Sequence, residues 1–382
     1  MRVGIIGYGY WGAIVARSFS RVPEVELTCI ADLAPARREE ARCRFPHASL
    51  AATPSDLLDR NDVDAVVVAT PANTHHDIVQ SALDADKHVW VEKPIADTAA
   101  EAIALVRLAQ RRSRTLFVDH TFIYSDSVRA IKQVVAGHQF GEMHLYASVR
   151  TNSGVGRTDA SIFHDLAIHD LAILDFLAGQ SPVAVAAGKP SARQAAAGQD
   201  QCVTLAYASG LRADIRVNWC APAKARRVVI SSARQTVEFD DLELHHKVRL
   251  REHSVDARGG RASAGRGEAR RLGRIVPLNG PRESLANAVD CFLHSIRSGE
   301  RPLSDGWQGV RLAAILDACK SSAETDGNWT DVRASPEPLA TAPLPRRQQP
   351  DLRGGQEVDV APRCFAAMKP AVEAEDAVIP SG

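Results

Sequence analysis

Two groups of residues in this chain have types and spacings that do chemistry. The first is Gly7, Gly9 and Gly12 in MRVGIIGYGYWG, spaced G-x-G-x-x-G directly after the apolar run of Val3, Ile5 and Ile6. Between a strand and a helix, such glycines make a tight turn, let the backbone approach a pyrophosphate, and let the helix sit close to the strand. The helix N-terminus adds free N–H groups and a partial positive charge. The second group is Asp165 and His169, four residues apart in SIFHDLAIHDLAILDFLAG (161–179), and so on one face of a helix. That segment is apolar nearly all round and reads as a buried helix. Burying polar groups without partners costs roughly 2–7 kcal/mol each, so they are expected to line a wet, functional cavity. A structural Asp–His hydrogen bond and a metal site are the competing readings, but no H-E-x-x-H or cysteine partner accompanies the pair.

The glycine turn gains meaning from its neighbours in the chain. Residues 13–20 continue at helical spacing, and VELTCIAD (25–32) reads as a second strand ending in Asp32, 20 residues after Gly12. An acid there accepts hydrogen bonds from adenosine ribose hydroxyls and repels a 2′-phosphate, so NAD is favoured over NADP. Arg37 and Arg38 are placed to fold back toward a phosphate and keep NADP open. The plainer alternative is a glycine turn in an ordinary α/β domain.

The elements that must position these groups alternate. Residues 34–44 read as an amphipathic helix, and VDAVVVA (63–69) is a continuous β-branched strand, as in a parallel sheet covered on both faces. Its carboxyl end, Thr70-Pro71-Ala72-Asn73-Thr74-His75, is expected to flank the cofactor, with Asn73 or Thr74 also capping a helix over 75–84. A further strand ends at Glu92-Lys93-Pro94, where the proline stops the ladder and Lys93 projects toward the nicotinamide end of the site. An unremarkable surface Glu-Lys pair fits that position equally. A helix (98–112) and a strand (115–118) complete the β/α pattern. Beyond His120 come a helix (125–136), a strand (142–150), a polar loop (151–159), the buried helix, and several short strands between 182 and 252. Adjacent strands after a β/α half imply an α+β second domain with a mostly antiparallel sheet. Residues 253–275 read as a Gly/Arg-rich loop, helices are expected over 282–298 and 306–322, and the Pro- and charge-rich tail as disordered.

Composition narrows the function classes. The 382 residues suit about two domains, and 46 basic against 46 acidic residues give no support to bulk nucleic-acid or membrane-surface binding. There is no apolar run of 18 residues and no signal-peptide pattern, so a cytoplasmic protein is expected. Seven scattered cysteines, without a C-x-x-C pair, argue against zinc and for a reducing compartment.

GYGYWG, Ala69-Thr70-Pro71 with Thr74-His75, KHVWVEKPIA and the Asp-x-x-x-His helix together resemble the Gfo/Idh/MocA oxidoreductases, over about residues 1–325. The resemblance implies a Rossmann doubly wound parallel sheet (1–120), a substrate and oligomerisation domain (121–330) and a tail (331–382) outside the family pattern. It implies catalytic Lys93, Asp165 and His169, no metal, and cofactor contacts from Gly7, Gly9, Tyr10, Trp11, Gly12, Asp32, Thr70, Pro71, Asn73, His75, Glu92 and Lys93. A homo-oligomer, dimer or tetramer, is also implied. Phe163 and His164 replace small residues common before that aspartate, so a narrower pocket or a change in which sugar fits is expected.

A closer similarity, through HTFIYSDSVRAIKQV, SVRTNSGVGRTD and WCAPAKARRVVISSARQTVEFDDLE, is to members acting on the C3 hydroxyl of sugars, often nucleotide-linked, in polysaccharide and amino-sugar pathways. The chemistry this implies is hydride transfer between a ring carbon and NAD, with His169 as base, Asp165 orienting the imidazole and Lys93 stabilising the alkoxide. Lys93 as base and His169 as orienter fits the same residues. The rival substrates are inositols, other polyols or free sugars, or an unrelated ketone or imine. A catalytically inactive NAD-binding sensor is the rival of another class.

Overall fold

The computed structural model describes residues 1–154, 161–188, 200–253, 273–278 and 282–333. The first half alternates: β1 (Arg2–Ile6), α1 (Tyr10–Ser20), β2 (Glu26–Ala31), α2 (Pro35–Arg44), β3 (Ser49–Ala51), α3 (Pro54–Leu58), β4 (Ala65–Val68), α4 (His75–Asp84), β5 (His88–Glu92), α5 (Ala99–Arg112) and β6 (Leu116–Asp119). Its strands form one parallel sheet in the order β3-β2-β1-β4-β5-β6. The reversal of order beside β1 opens a crevice at the strands' carboxyl ends, where ligands of such sheets bind. All four residues of β4 are buried, as its unbroken β-branched run demands. Thr98 starts α5 with a reciprocal capping box to Glu101.

The second half opens with α6 (Asp126–Val135), capped by Ser125, and β7 (Met143–Ser153). A five-residue π-helical turn (Phe163–Ala167) then runs into α7 (Ile168–Ala178), where a single uniform helix was expected. The strands β8 (Ala184–Gly188), β9 (Asp200–Ala206), β10 (Arg212–Asn218), β11 (Cys220–Ser232), β12 (Gln235–Asp240), β13 (Val248–Glu252) and β14 (Arg274–Ile275) come next. After α8 (Ser284–Ser298) and α9 (Gly306–Glu324), β15 (Thr330–Asp331) completes a sheet ordered β14-β13-β12-β11-β7-β10-β9-β8-β15. Among the described strands of this second sheet, only β7 and β10 pair in parallel. The architecture is therefore α/β with a second, mostly antiparallel sheet, as expected.

Helix α7 lies against this sheet's inner face, with Leu171, Ile173, Leu174 and Leu177 in one core with Tyr146, Val203, Ile215 and Val228. The chain also returns to the first sheet. Val118 N donates to Ser304 O at 3.0 Å, Asp305 bridges to Phe117 in antiparallel fashion, and Trp307, Val310 and Ala313 of α9 join the core of Val106, Leu116 and Val118. Arg274 and Ile275, expected in a loop, instead pair with β13. The expected loops over 155–159 and 254–272 and the tail from 334 lie outside the described residues.

Candidate active site

The turn after β1 has the space a pyrophosphate needs. Gly7 has φ +92°, and a Cβ there would lie 2.6 Å from Ala69 O; one on Gly12 would lie 2.0 Å from Gly7 O. A Cβ on Gly9 would meet nothing within 4 Å, so the backbone there faces open space. Gly9 is also the N-cap of α1 and offers no side chain to that helix's first N–H groups, which remain available to an anion. The donor set therefore fits a dinucleotide phosphate. At the end of β2, Asp32 accepts from Tyr8 N at 2.7 Å and Ala34 N at 2.8 Å. Arg38 donates to Asp32 O and Leu33 O, while Arg37 pairs with Glu40.

The loop after β4 is braced from within. Thr74 Oγ1 lies 2.7 Å from both Thr70 Oγ1 and Pro71 O, and no side chain caps α4, contrary to the cap expected of Asn73 or Thr74. His75, expected to touch the cofactor, is 1% exposed. Its Nδ1 lies 2.7 Å from Pro94 O and its Nε2 3.0 Å from Thr70 O, so the imidazole ties this loop to the end of β5. Burial lowers its pKa, against the two carbonyls, which favour the protonated ring.

Glu92, also expected as a cofactor contact, accepts from Trp11 Nε1 at 2.5 Å and so anchors the glycine turn to β5. Its carboxyl is buried beside Asp119. Burial first, then the Asp119 charge, raises the Glu92 pKa well above the ordinary range, and burial raises that of Asp119 to about 6. The next residue, Lys93, crosses to the second half: Nζ donates to Asp165 O at 3.1 Å and His164 O at 3.3 Å and lies 3.5 Å from Asp165 Oδ1.

The π turn presents Asp165 toward the junction of β10 and β11, where Asp165 Oδ2 accepts from Trp219 Nε1 at 2.8 Å. His169, in the first turn of α7, packs edge-on against Phe122 with ring centroids 4.9 Å apart. Its Nδ1 is buried with no hydrogen-bond partner among the described residues. Asp165 was expected to orient the imidazole; its carboxylate instead lies 2.8 Å from Trp219 Nε1 and 3.5 Å from Lys93 Nζ. Burial foremost, then the charges of Lys93 and Arg150, depress the His169 pKa well below 6.5, so these surroundings favour the neutral ring. Both residues line a cavity of about 460 Å³, together with Tyr10, Trp11, Phe122, Arg150, Trp219 and Arg226. Phe163 and His164 are not among its lining residues; Phe163 packs into the core.

The structure therefore brings Lys93, Asp165 and His169 together with Tyr10 and Trp11 of the glycine turn. Sequence reasoning missed Arg150, Trp219 and Arg226. Arg150 was detectable in principle: it shares the buried face of β7 with Tyr146 and Ser148 at period two, a position that demands a partner, which is Asp170.

Comparison with known proteins identifies the family of both halves. Residues 1–120 match the oxidoreductase family with an NAD-binding Rossmann fold, and residues 128–238 match the GFO/IDH/MocA C-terminal domain. The chain is 32% identical to inositol 2-dehydrogenase 2 of Paenarthrobacter aurescens over 88% of its length and 99% of the relative's. It is 26% identical to inositol 2-dehydrogenase 2 of Saccharopolyspora erythraea over 90% of its length and 99% of that relative's. Among solved structures, UDP-N-acetylglucosamine 3-dehydrogenase from Acidithiobacillus ferrooxidans superposes with a TM-score of 0.72 at 25% identity, covering 86% of this chain and 99% of that one.

Proposed function

Since the chain belongs to the Gfo/Idh/MocA family of nicotinamide-dependent oxidoreductases that act on CH–OH groups, we propose that it transfers a hydride between NAD and a ring hydroxyl, at C3, of a sugar that is nucleotide-linked. The observation that carries this reading is the approach of Lys93, at the carboxyl end of β5, to the turn that leads Asp165 and His169 into a cavity shared with the glycine turn. The nucleotide-linked C3 assignment is supported by the likeness to the UDP-N-acetylglucosamine 3-dehydrogenase. A second reading, oxidation of an inositol, is favoured by the relative at 32% identity.

When bound, the nicotinamide ring supplies the hydride acceptor. Gly7, Gly9, Gly12, Tyr10 and Trp11 would hold the dinucleotide's pyrophosphate and Asp32 its adenosine ribose, with Thr70, Pro71 and Asn73 beside it. The carboxylate of Asp32, with Arg38 turned to backbone carbonyls and Arg37 to Glu40, favours NAD over NADP. Lys93 holds the substrate oxygen and stabilises its growing negative charge. His169 takes the hydroxyl proton at Nε2, since Nδ1 is shut away from the cavity. Asp165 keeps the Lys93 ammonium at the mouth of the turn, and Trp219 fixes Asp165. Trp11, tethered to Glu92, lines the same cavity as Asp165 and His169.

The same reading divides the chain at about residue 120, with the oligomer formed through the outer face of the second sheet, where Val149 and Val229 are exposed. It also places the protein in the cytoplasm. No helix of the described residues is long and apolar enough to cross a membrane. The test is NADH formation with a panel of UDP-sugars, sugar phosphates, free sugars and inositols, run in both directions. Turnover of UDP-sugars alone supports the nucleotide-linked reading and turnover of inositols the second. No turnover of any of them overturns both.

A further inference from the structure

Among the described residues around the cavity, one cation has no hydrogen bond to a carboxylate. Arg150 is matched by Asp170, with Nε 2.5 Å and Nη2 3.4 Å from the carboxylate oxygens. Asp165 is matched by Lys93 at 3.5 Å, and His169 is neutral. Arg226 differs. Its Nη1 donates to Thr151 O at 2.5 Å and Ala225 O at 2.7 Å, and its Nη2 to Asn152 Oδ1 at 2.5 Å. All three acceptors are neutral. A guanidinium has five N–H donors, so Nε–H and one Nη2–H have no acceptor among the described residues.

The placement sharpens the point. Arg226 on β11 is the direct cross-strand partner of Arg150 on β7. Like charges in that relation are unfavourable, and although the carboxylates of Asp170, Asp241 and Asp165 act on Arg226 from a distance, none of them is hydrogen-bonded to it among the described residues. Burial, followed by the Arg150 charge, accordingly lowers the Arg226 pKa. The backbone carbonyls and Asn152 fix the plane of the fork, and a planar fork with two free N–H groups matches a carboxylate or a phosphate.

Resting on the hydride-transfer reading above, we propose that the substrate carries an oxyanion, a carboxylate or a phosphate, and that Arg226 is the specificity-determining side chain that binds it. A neutral inositol leaves this cation unmatched. A uronic acid, a sugar phosphate or a nucleoside-diphosphate sugar supplies the missing charge.

The experiment is calorimetric titration of the full chain with glucuronate, glucose 6-phosphate and UDP-glucose, each against neutral glucose and myo-inositol, in the wild type, Arg226→Gln and Arg226→Lys. At least one anionic probe is expected to bind about tenfold or more tightly than the neutral ones. The glutamine variant is expected to abolish that advantage and the lysine variant to keep part of it. The probe that shows the advantage identifies the oxyanion as carboxylate, monophosphate or diphosphate. Neutral probes binding the wild type as tightly as every anionic probe, or an equal loss for both classes in Arg226→Gln, overturns the proposal. Circular dichroism verifies the fold of each variant, and if the glutamine variant does not fold, the wild-type comparison decides. Absence of NADH formation with all of these probes counts against hydride transfer to sugars, and the binding data then judge Arg226 separately.

Discussion

Lys93 Nζ lies 3.5 Å from Asp165 Oδ1, an ion pair that joins the carboxyl end of a parallel strand to a π turn 72 positions later. On the proposed mechanism this pair delivers the ammonium to the substrate oxygen. Lys93→Ala and His169→Ala are each expected to lower turnover by about 100-fold or more. Dinucleotide binding, followed by quenching of tryptophan fluorescence, should persist in both. Full activity in both variants would remove this site from consideration.

The acid side of the pH profile follows from the depressed pKa of His169. The base works in its neutral form, and a lowered pKa extends that form to lower pH. Hence kcat/KM should stay flat as pH falls through 6.5 and decline only well below it. An acid limb at or above 6.5 that disappears in His169→Ala would contradict the assignment of this imidazole.

The three glycines of the first turn should separate folding from binding. A Cβ on Gly12 would lie 2.0 Å from Gly7 O, so Gly12→Ala should lower the thermal midpoint sharply. A Cβ on Gly9 meets nothing within 4 Å. Gly9→Ala should therefore keep the thermal midpoint while weakening dinucleotide affinity by about tenfold or more, since the methyl occupies the approach of the phosphate. Equal behaviour of the two variants would mean that the open space is not the phosphate seat.

The Arg150–Asp170 pair is buried on both sides, with side chains 5% and 2% exposed. Removing one partner strands a buried charge. Asp170→Asn or Arg150→Met is expected to cost about 3–5 kcal/mol in urea unfolding. A loss below about 1 kcal/mol would show that the charge is not sealed from water.

Much of this arrangement was legible in the residues because it depends on short-range pattern. The β-branched run of β4 could only be a strand buried on both faces, and Pro94 had to end β5 beside Lys93. The rest depends on contacts that no local spacing records. Asp165 meets Trp219 54 positions away and Arg150 meets Asp170 20 positions away. Spacing alone suggested that Asp165 would serve His169, but its carboxylate turns to Trp219 and Lys93 in the π turn. His75 had the chemistry of a ligand contact, yet both of its nitrogens are taken by main-chain carbonyls.

The return of the chain to β6 also bears on how the protein is made. The edge of that strand is covered by residues 304 and 305, and the hydroxyl of Tyr124, just beyond it, is tied to Ser304 at 2.8 Å. Ser304 and Asp305 come late in the 382-residue polypeptide. While ribosomes are still translating, the nucleotide-holding half therefore waits with a bare hydrogen-bonding edge, and truncation anywhere before Ser304 leaves that edge open to pair with a neighbouring nascent chain.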